Sequence, residues 1–582
     1  MTQAWIEDSI EQEKDLKEVY EVLVIGAGLY GIQAARYYLD IHPEVRLCIL
    51  ESDDVIGGTW SSKRIYDAFW TQTPVGMAEF SDRPMTPPPN GDQYYGFFPA
   101  RYVTEYLESY VDNHIYNDQT LRSRIKFNTK VEGLKKTDDG LWTAFLQGKQ
   151  IKAAKVINAE GLTSIPYRPH FEGEQEFQGV VMHHRDFGQS TFLDDPQVQH
   201  VAVLGGAKSA ADVAYAAAKA EKTVSWIIRD DGAGPAALLS AEGRGPYANS
   251  NESFYTRLVA SFLPNPFSKE SYLSRFLHGT RVGRSLVRRI WDNIDKDNRK
   301  KVNYHRAEGK SMGFEALEPD TSIFWANDSS GINQRADLYS TIVTNVHVYR
   351  QGIDHFTTDS VILSEGKSGP KMHKLPVDVF VMCTGWSPKS PLFDPLTSFD
   401  LGLPTSFPTQ SRQSKTVWQS LEDMGDRNIL ARFPMLGGPP QYQKVEPSVS
   451  PYRLYKAMIP IADVQNRSLV FLGRLVVGNN FRLAEVQALW AVAYLDGSLK
   501  LDIQNIEPEI GETVAWCRRR YLNKGNLGSW FFFDTIPYTD MLLDQLGLRS
   551  HRQKGWLRNF LGPCRAADLK DLVTEYKRAF LT

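Results

Sequence analysis

Two segments of this chain run in the same order: an apolar strand, a turn of small residues, an alanine-rich helix and a second apolar strand. They begin near residues 19 and 200. In VYEVLVIGAGLYGIQAARYYLD the run Val22 to Ile25 has the continuous apolar character of a buried parallel strand, and Ala34, Ala35 and Tyr38 return on one helical face. The next run, Val45 to Leu50, closes at Glu51. In the second segment Val201 to Leu204 leads through a small-residue turn and a helix reaching Ala218 to Thr223–Ile228, which closes at Arg229. A strand–helix–strand unit of this kind needs a parallel sheet covered by helices. The expected fold is therefore α/β with two Rossmann-like dinucleotide-binding domains.

The turns state what each unit is built to hold. Gly26, Gly28 and Gly31 form a complete GxGxxG between strand and helix. The first glycine permits the tight turn, the second lets the backbone approach a pyrophosphate, and the third lets helix pack on strand. The helix N-terminus adds unpaired N–H groups that favour an anion. Glu51 can accept hydrogen bonds from ribose hydroxyls and repels a 2′-phosphate, so the first site is expected to hold FAD or NAD and not NADP. The second turn keeps Gly205 and has alanines at the second and third positions, with Lys208 and Ser209 as donors. Its strand ends at Arg229, and a guanidinium there suits a 2′-phosphate. The opposite charges of Glu51 and Arg229 assign FAD to the first site and NADPH to the second.

The simplest organisation builds one unit from both ends of the chain and inserts the other. The expected divisions are residues 1–165 for the first part of the FAD domain, 166–375 for the NADPH domain with a helical insertion at about 245–310, and 376–582 for the rest of the FAD domain with a C-terminal helical extension. A chain of 582 residues is too long for one ordinary core, which agrees with this division.

Composition closes off other classes. With a net charge of −3 there is no basic surface to release counterions from nucleic acid. Cys48, Cys383, Cys517 and Cys564 lack any close pairing or ligand spacing. Neither a metal site nor a redox-active cysteine pair is expected, and a pyridine-nucleotide disulfide reductase is disfavoured. The acidic N-terminus has no apolar core for a secretory signal, and no run approaches the ~18 apolar residues of a spanning helix. A cytoplasmic protein is expected, with peripheral contact to a membrane left open by one segment. In SYLSRFLHGTRVGRSLVRRIWDN apolar residues recur at near-helical spacing among arginines, which reads either as a surface helix packing inward or as one resting on a membrane or covering a channel. GWLRNFLGPCRAADLK near the C-terminus carries the same two readings.

Several motifs in order resemble the class B flavoprotein monooxygenases, the superfamily of flavin-containing and Baeyer–Villiger monooxygenases. Phe177, Gly179, His183 and Phe187 match its FxGxxxHxxx(aromatic) signature between the nucleotide units. Gly57 and the cofactor-side residues Gly58, Thr59 and Trp60 resemble the segment that packs near the flavin. Cys383, Thr384, Gly385 and Trp386 resemble the strand end where the chain re-enters the FAD domain, and Glu485 and Gln487 resemble the late helix bordering the flavin. The likeness spans roughly residues 20–230 and 335–495 and is nearest to fungal members of secondary metabolism. It implies an NADPH-consuming enzyme that forms a hydroperoxyflavin and inserts one atom of dioxygen into a small lipophilic metabolite. Phe187 is followed by Gly188, so N- or S-oxygenation, hydroxylation or epoxidation is the closer reading, and Baeyer–Villiger oxygenation is the alternative. A non-catalytic flavin-bound redox sensor would not need Ser209 and Arg229.

The resemblance implies an asparagine near the oxygen-reacting face of the flavin, and Gln72 stands in its place, which makes Gln72 the candidate catalytic residue. His183 is read as part of an interdomain motif, because a histidine beside aromatics is more often structural than catalytic.

Overall fold

The computed structural model describes residues 19–306, 313–328, 335–366, 372–407 and 412–580, so the acidic N-terminal stretch lies outside the described residues. The first sheet runs Ile125–Lys126, Leu47–Leu50, Val19–Ile25, Lys149–Asn158, Trp142–Leu146 and Gly133–Lys136, with Leu469–Phe471 added parallel to Lys149–Asn158. A strand from residue 469 onward completes a sheet begun at residue 19, so the two ends of the chain build one unit. The helix Asn480–Leu495 is buried from Phe481 to Leu495 and packs against Leu29–Ile41, which explains why it is apolar all round rather than amphipathic.

Several polar groups at and beside that packing surface are paired internally. Glu485 accepts from Ser81 N at 2.8 Å, Ser81 Oγ at 2.5 Å and Tyr37 Oη at 3.0 Å. Burial pushes its carboxyl up to about 7. Gln487 joins Gly473 N at 3.2 Å to Tyr538 Oη at 3.0 Å. Arg474 donates to Glu160 Oε2 at 2.7 Å, Asn158 Oδ1 at 2.9 Å and Gly161 O at 2.7 Å, locking the late strand to the end of its neighbour.

The second sheet is wholly parallel, in the order Val346–Arg350, Thr223–Ile228, His200–Leu204, Val379–Met382 and Val180–His183. The division expected at 375–376 is corrected by that pairing. Val379–Met382 lies between two strands of the second sheet, so the chain leaves this unit after Met382. Helical elements at Ser250–Phe254, Arg257–Ser261 and Arg281–Val302 occupy the insertion. Ile506–Gly525 and Thr535–Gln545 belong to the C-terminal extension. Among the described residues no helix is long and apolar enough to cross a membrane.

Candidate functional site

The two nucleotide turns have matching geometry. Gly26 takes φ +99°, and a side chain there would press on Ala159 O at 2.9 Å; Gly205 takes φ +141° against Cys383 O. In both units the first glycine therefore lets the turn close over the end of a neighbouring strand. Gly28 and Ala207 are the equivalent N-cap residues, both extended, and neither side chain caps its helix. Neither helix has an acid in its first turn. Each N-terminus thus presents amides to an anion.

The first turn fits FAD. Around Gly28 the nearest atom to an added Cβ is Gly58 Cα at 3.8 Å, so the space is open within the protein and suited to a pyrophosphate. Gly31 is different: a side chain there would strike the carbonyl of Gly26, so its role is helix-on-strand packing. Glu51 is buried, with one oxygen on Ala27 N at 2.7 Å and the other on Asp53 N at 2.9 Å. It holds the glycine turn in shape and leaves lone pairs for a ribose. Thr59 Oγ1 bonds Thr163 Oγ1 at 2.9 Å, and Trp60 stacks on Phe69 at 5.4 Å.

In the second unit Arg229 is 63% exposed at its side chain, with Asp231 at 3.7 Å. Ser209 is half-buried in the first helical turn, and Ala236 N binds Gly206 O at 2.6 Å, folding the following loop over the small-residue turn. Lys208 points elsewhere. It pairs with Asp212, lies 4.4 Å from the Phe69 ring centroid and faces the cavity that contains Gln72. Burial holds its ammonium below the usual lysine range despite Asp212. Lys524, from the C-terminal extension, is held below the usual lysine range by burial first, with the charge of Arg229 acting in the same direction.

The family-type motif sits where the units join. Residues 165–167 and 384–387 cross side by side: Ser387 N donates to Ile165 O at 2.8 Å, and Tyr167 N to Gly385 O at 3.0 Å. Thr384 Oγ1 donates to Tyr167 O. The polar groups of Thr384 and Gly385 thus serve the crossing. His183 is fully buried; its Nδ1 accepts from Arg185 N at 3.2 Å, so Nε2 carries the proton and donates to Gly385 O at 3.0 Å. Gly179 is required because a side chain would meet the Phe177 ring and Asp378 O, while Phe187 packs edge-on to Tyr66 at 4.7 Å. The contacts of these four residues are packing and hydrogen bonds within the interdomain region.

Burial pulls His183 down to about 4 from its ordinary 6.5, and His184 beside it to about 3. The fold binds the neutral ring, so its contribution is complete above the unfolded value and is lost as pH falls from about 6.5 towards 4. Each pH unit in that window removes about 1.4 kcal/mol per such histidine. Chemical denaturation from neutral pH down to about pH 5 should therefore show a steeper stability loss in the wild type than in His183→Gln. Parallel slopes would deny His183 this role.

Between the units lies a cavity of about 270 Å³. Its walls come from segments far apart in the chain: Trp60 and Gln72 from the first unit, Lys208 from the second, Phe254 from the insertion, and Asn480 and Phe533 from the C-terminal half. Asn251 Nδ2 donates to Gln72 O at 2.8 Å, and Tyr30 Oη to Asn480 Oδ1 at 2.8 Å. Arg335 stands between the units with its guanidinium 4.7 Å from Trp70 and 4.4 Å from Tyr215, donating to Ala68 O at 2.7 Å. Asn251, Arg335 and the aromatic walls did not emerge from sequence motifs. The run Trp530–Phe533 was the available signal for the walls, since four consecutive aromatics need a large apolar partner.

An FAD-dependent monooxygenase of Aspergillus nomiae is 32% identical over 96% of this chain and 98% of its own length. The chain belongs to the FAD-dependent monooxygenases. A second such monooxygenase, from Pyrenophora dematioidea, is 32% identical over 92% of this chain and 99% of its own. The pyridine nucleotide-disulphide oxidoreductase family matches residues 23–238 of the monooxygenase, the span that holds both glycine turns. Its four cysteines are buried, unbridged and in separate clusters, so the shared property is nucleotide-binding architecture and not disulfide chemistry. The crystal structure of an open cyclohexanone monooxygenase superposes with a TM-score of 0.57 at 16% identity, over 92% of this chain and 99% of that one, which supports the two-domain fold.

Proposed function

We propose that this monooxygenase holds FAD at Gly26, Gly28, Gly31 and Glu51, takes reducing equivalents from NADPH held at Gly205, Ser209 and Arg229, and oxygenates a small lipophilic metabolite at nitrogen, sulfur or carbon. The observation that carries this reading is the cavity at which the two nucleotide units meet. A dinucleotide on either turn reaches towards it, and its lining is aromatic with few polar groups. Bound FAD supplies hydride acceptance and dioxygen activation. The chain supplies the rest. Trp70, Phe254, Phe532 and Phe533 exclude water, Gln72 presents a side-chain amide from a backbone held at its carbonyl by Asn251, and Arg335 and Lys208 supply positive charge close by.

The test is NADPH-driven turnover under isotopically labelled dioxygen with a panel of lipophilic amines and thioethers. Label in a product supports the reading; no flavin reduction by NADPH and no labelled product would overturn it. Gln72→Leu should raise the share of NADPH oxidation that ends as hydrogen peroxide, by about tenfold for loss of one hydrogen bond to a charged group. Anaerobic flavin reduction should stay near normal. An unchanged peroxide share would remove Gln72 from the oxygen site.

A further inference from the structure

The insertion helix Arg281–Val302 and the turn before it form a surface that internal packing leaves open. Val287 and Trp291 are buried on one face. Tyr272 is 91% exposed and Val282 70%, and Leu273, Phe276 and Leu286 are exposed beside them. Residues 271–291 contain Arg275, Arg281, Arg284, Arg288 and Arg289 but no Asp or Glu, in a protein whose net charge is −3. Arg281 and Arg284 lie in the first turn of the helix, where the macrodipole is already positive, and no acid is present there. Among the described residues Arg281, Arg288 and Arg289 have no carboxylate partner, whereas Arg275 pairs with Glu270 at 3.1 Å.

The same chemistry recurs nearby. Trp556 is 79% exposed and Leu557 is exposed beside it, within residues 545–567, which hold no Asp or Glu; Arg552 and Arg565 pair with Glu575 and Glu252, which leaves Arg549, Lys554 and Arg558 as the basic groups of this surface. Both surfaces adjoin the short helix Arg257–Ser261: His278 bonds Ser261 O at 3.0 Å, and Arg257 donates to Asn559 O at 3.4 Å.

We propose that this monooxygenase docks on an anionic phospholipid surface through the 271–291 face and the Trp556 turn together. Arginines attract anionic headgroups, and aromatic and aliphatic tips enter the headgroup–acyl boundary. Side chains as free as Tyr272 and Trp556 stand proud of the surface, which a fluid bilayer accepts and a shape-matched protein site would enclose. Two patches meet the requirement that a stable peripheral anchor combine signals. The docking helix also connects to the cavity. Trp291 stacks on Phe254 and packs on Phe533 at 5.4 Å, and both rings line the large cavity. Ile294, Asn298 and Lys301 line a smaller chamber of about 70 Å³ that shares Leu239, Phe254 and Val259 with it. A lipid-dissolved substrate would thus meet the wall of the reaction chamber where the protein rests on the bilayer.

The test is co-sedimentation of the FAD-loaded full chain with phosphatidylcholine vesicles, with and without phosphatidylserine. It needs no substrate, so it stands or falls apart from the proposed reaction. Binding should require phosphatidylserine and weaken with salt. Arg281→Gln, Arg288→Gln and Arg289→Gln combined should lower vesicle affinity about 100-fold, at about fivefold for each arginine. Tyr272→Ser with Val282→Ser should lower it about tenfold or more. These side chains are exposed, and unchanged NADPH oxidation would show the variants folded. Wild-type protein left in the supernatant, or a triple variant that sediments as wild type does, would overturn the proposal. So would two other results: a lipid-free dimer by light scattering that the same variants abolish, or equal binding to an acidic polypeptide that ignores Tyr272→Ser.

Discussion

Gly28→Val yields a folded, colourless protein. The structure separates the third glycine, where a side chain would strike backbone, from the second, where a side chain would stand in open space. An added Cβ at Gly28 meets nothing closer than Gly58 Cα at 3.8 Å, whereas at Gly31 it strikes the Gly26 carbonyl. The valine branch occupies the approach to the uncapped N-terminus of Leu29–Ile41, where the pyrophosphate would contact backbone amides. Overpacking of ~1–3 kcal/mol together with lost helix-terminus contacts amounts to about a hundred-fold or more in FAD affinity. Flavin absorbance per protein, with the apoprotein melting temperature as a folding control, decides it. A yellow Gly28→Val protein would move the flavin off this turn, while Gly31→Val should fail to fold at all.

The second large effect is coenzyme choice. The Arg229 guanidinium is exposed, and among the described residues the acid it pairs with is Asp231 at 3.7 Å, which leaves it available to a 2′-phosphate at the end of the second unit's strand. A charge-assisted guanidinium–phosphate contact contributes about 1.5–3 kcal/mol, or about 10- to 100-fold. Wild-type protein should therefore reduce its flavin at far lower NADPH than NADH, and Arg229→Ala should lose most of that preference by weakening NADPH alone. Anaerobic flavin reduction at varied NADPH and NADH measures both proteins. Undiminished preference in Arg229→Ala would refute the assignment.

The nucleotide units were legible because their signals are local: a strand, a turn of fixed glycine spacing and a charged residue at a strand end all lie within a short stretch of chain. The chamber was not. Gln72, the pair Asn251 and Phe254, Asn480 and Phe533 come from segments far apart in the chain, so only tertiary packing joins them. Val379–Met382 shows a different limit. A continuous apolar run announces a buried parallel strand but does not name its neighbours, and pairing with His200–Leu204 and Val180–His183 assigned it to the second sheet. Lys208 had a visible clue in Asp212 one helical turn later, the carboxylate its ammonium pairs with.

The paired crossing at residues 165–167 and 384–387 has a mechanical consequence. A lone linker lets one body tumble on another in every direction, but two strands laced by Ser387, Tyr167 and Thr384 behave as a flat strap. A strap bends about the axis across its width and resists torsion and sliding. The two units are therefore joined at this crossing by a paired ribbon and not by a single thread, and Arg335 on Ala68 O and Asn251 on Gln72 O tie them a second time beside the cavity.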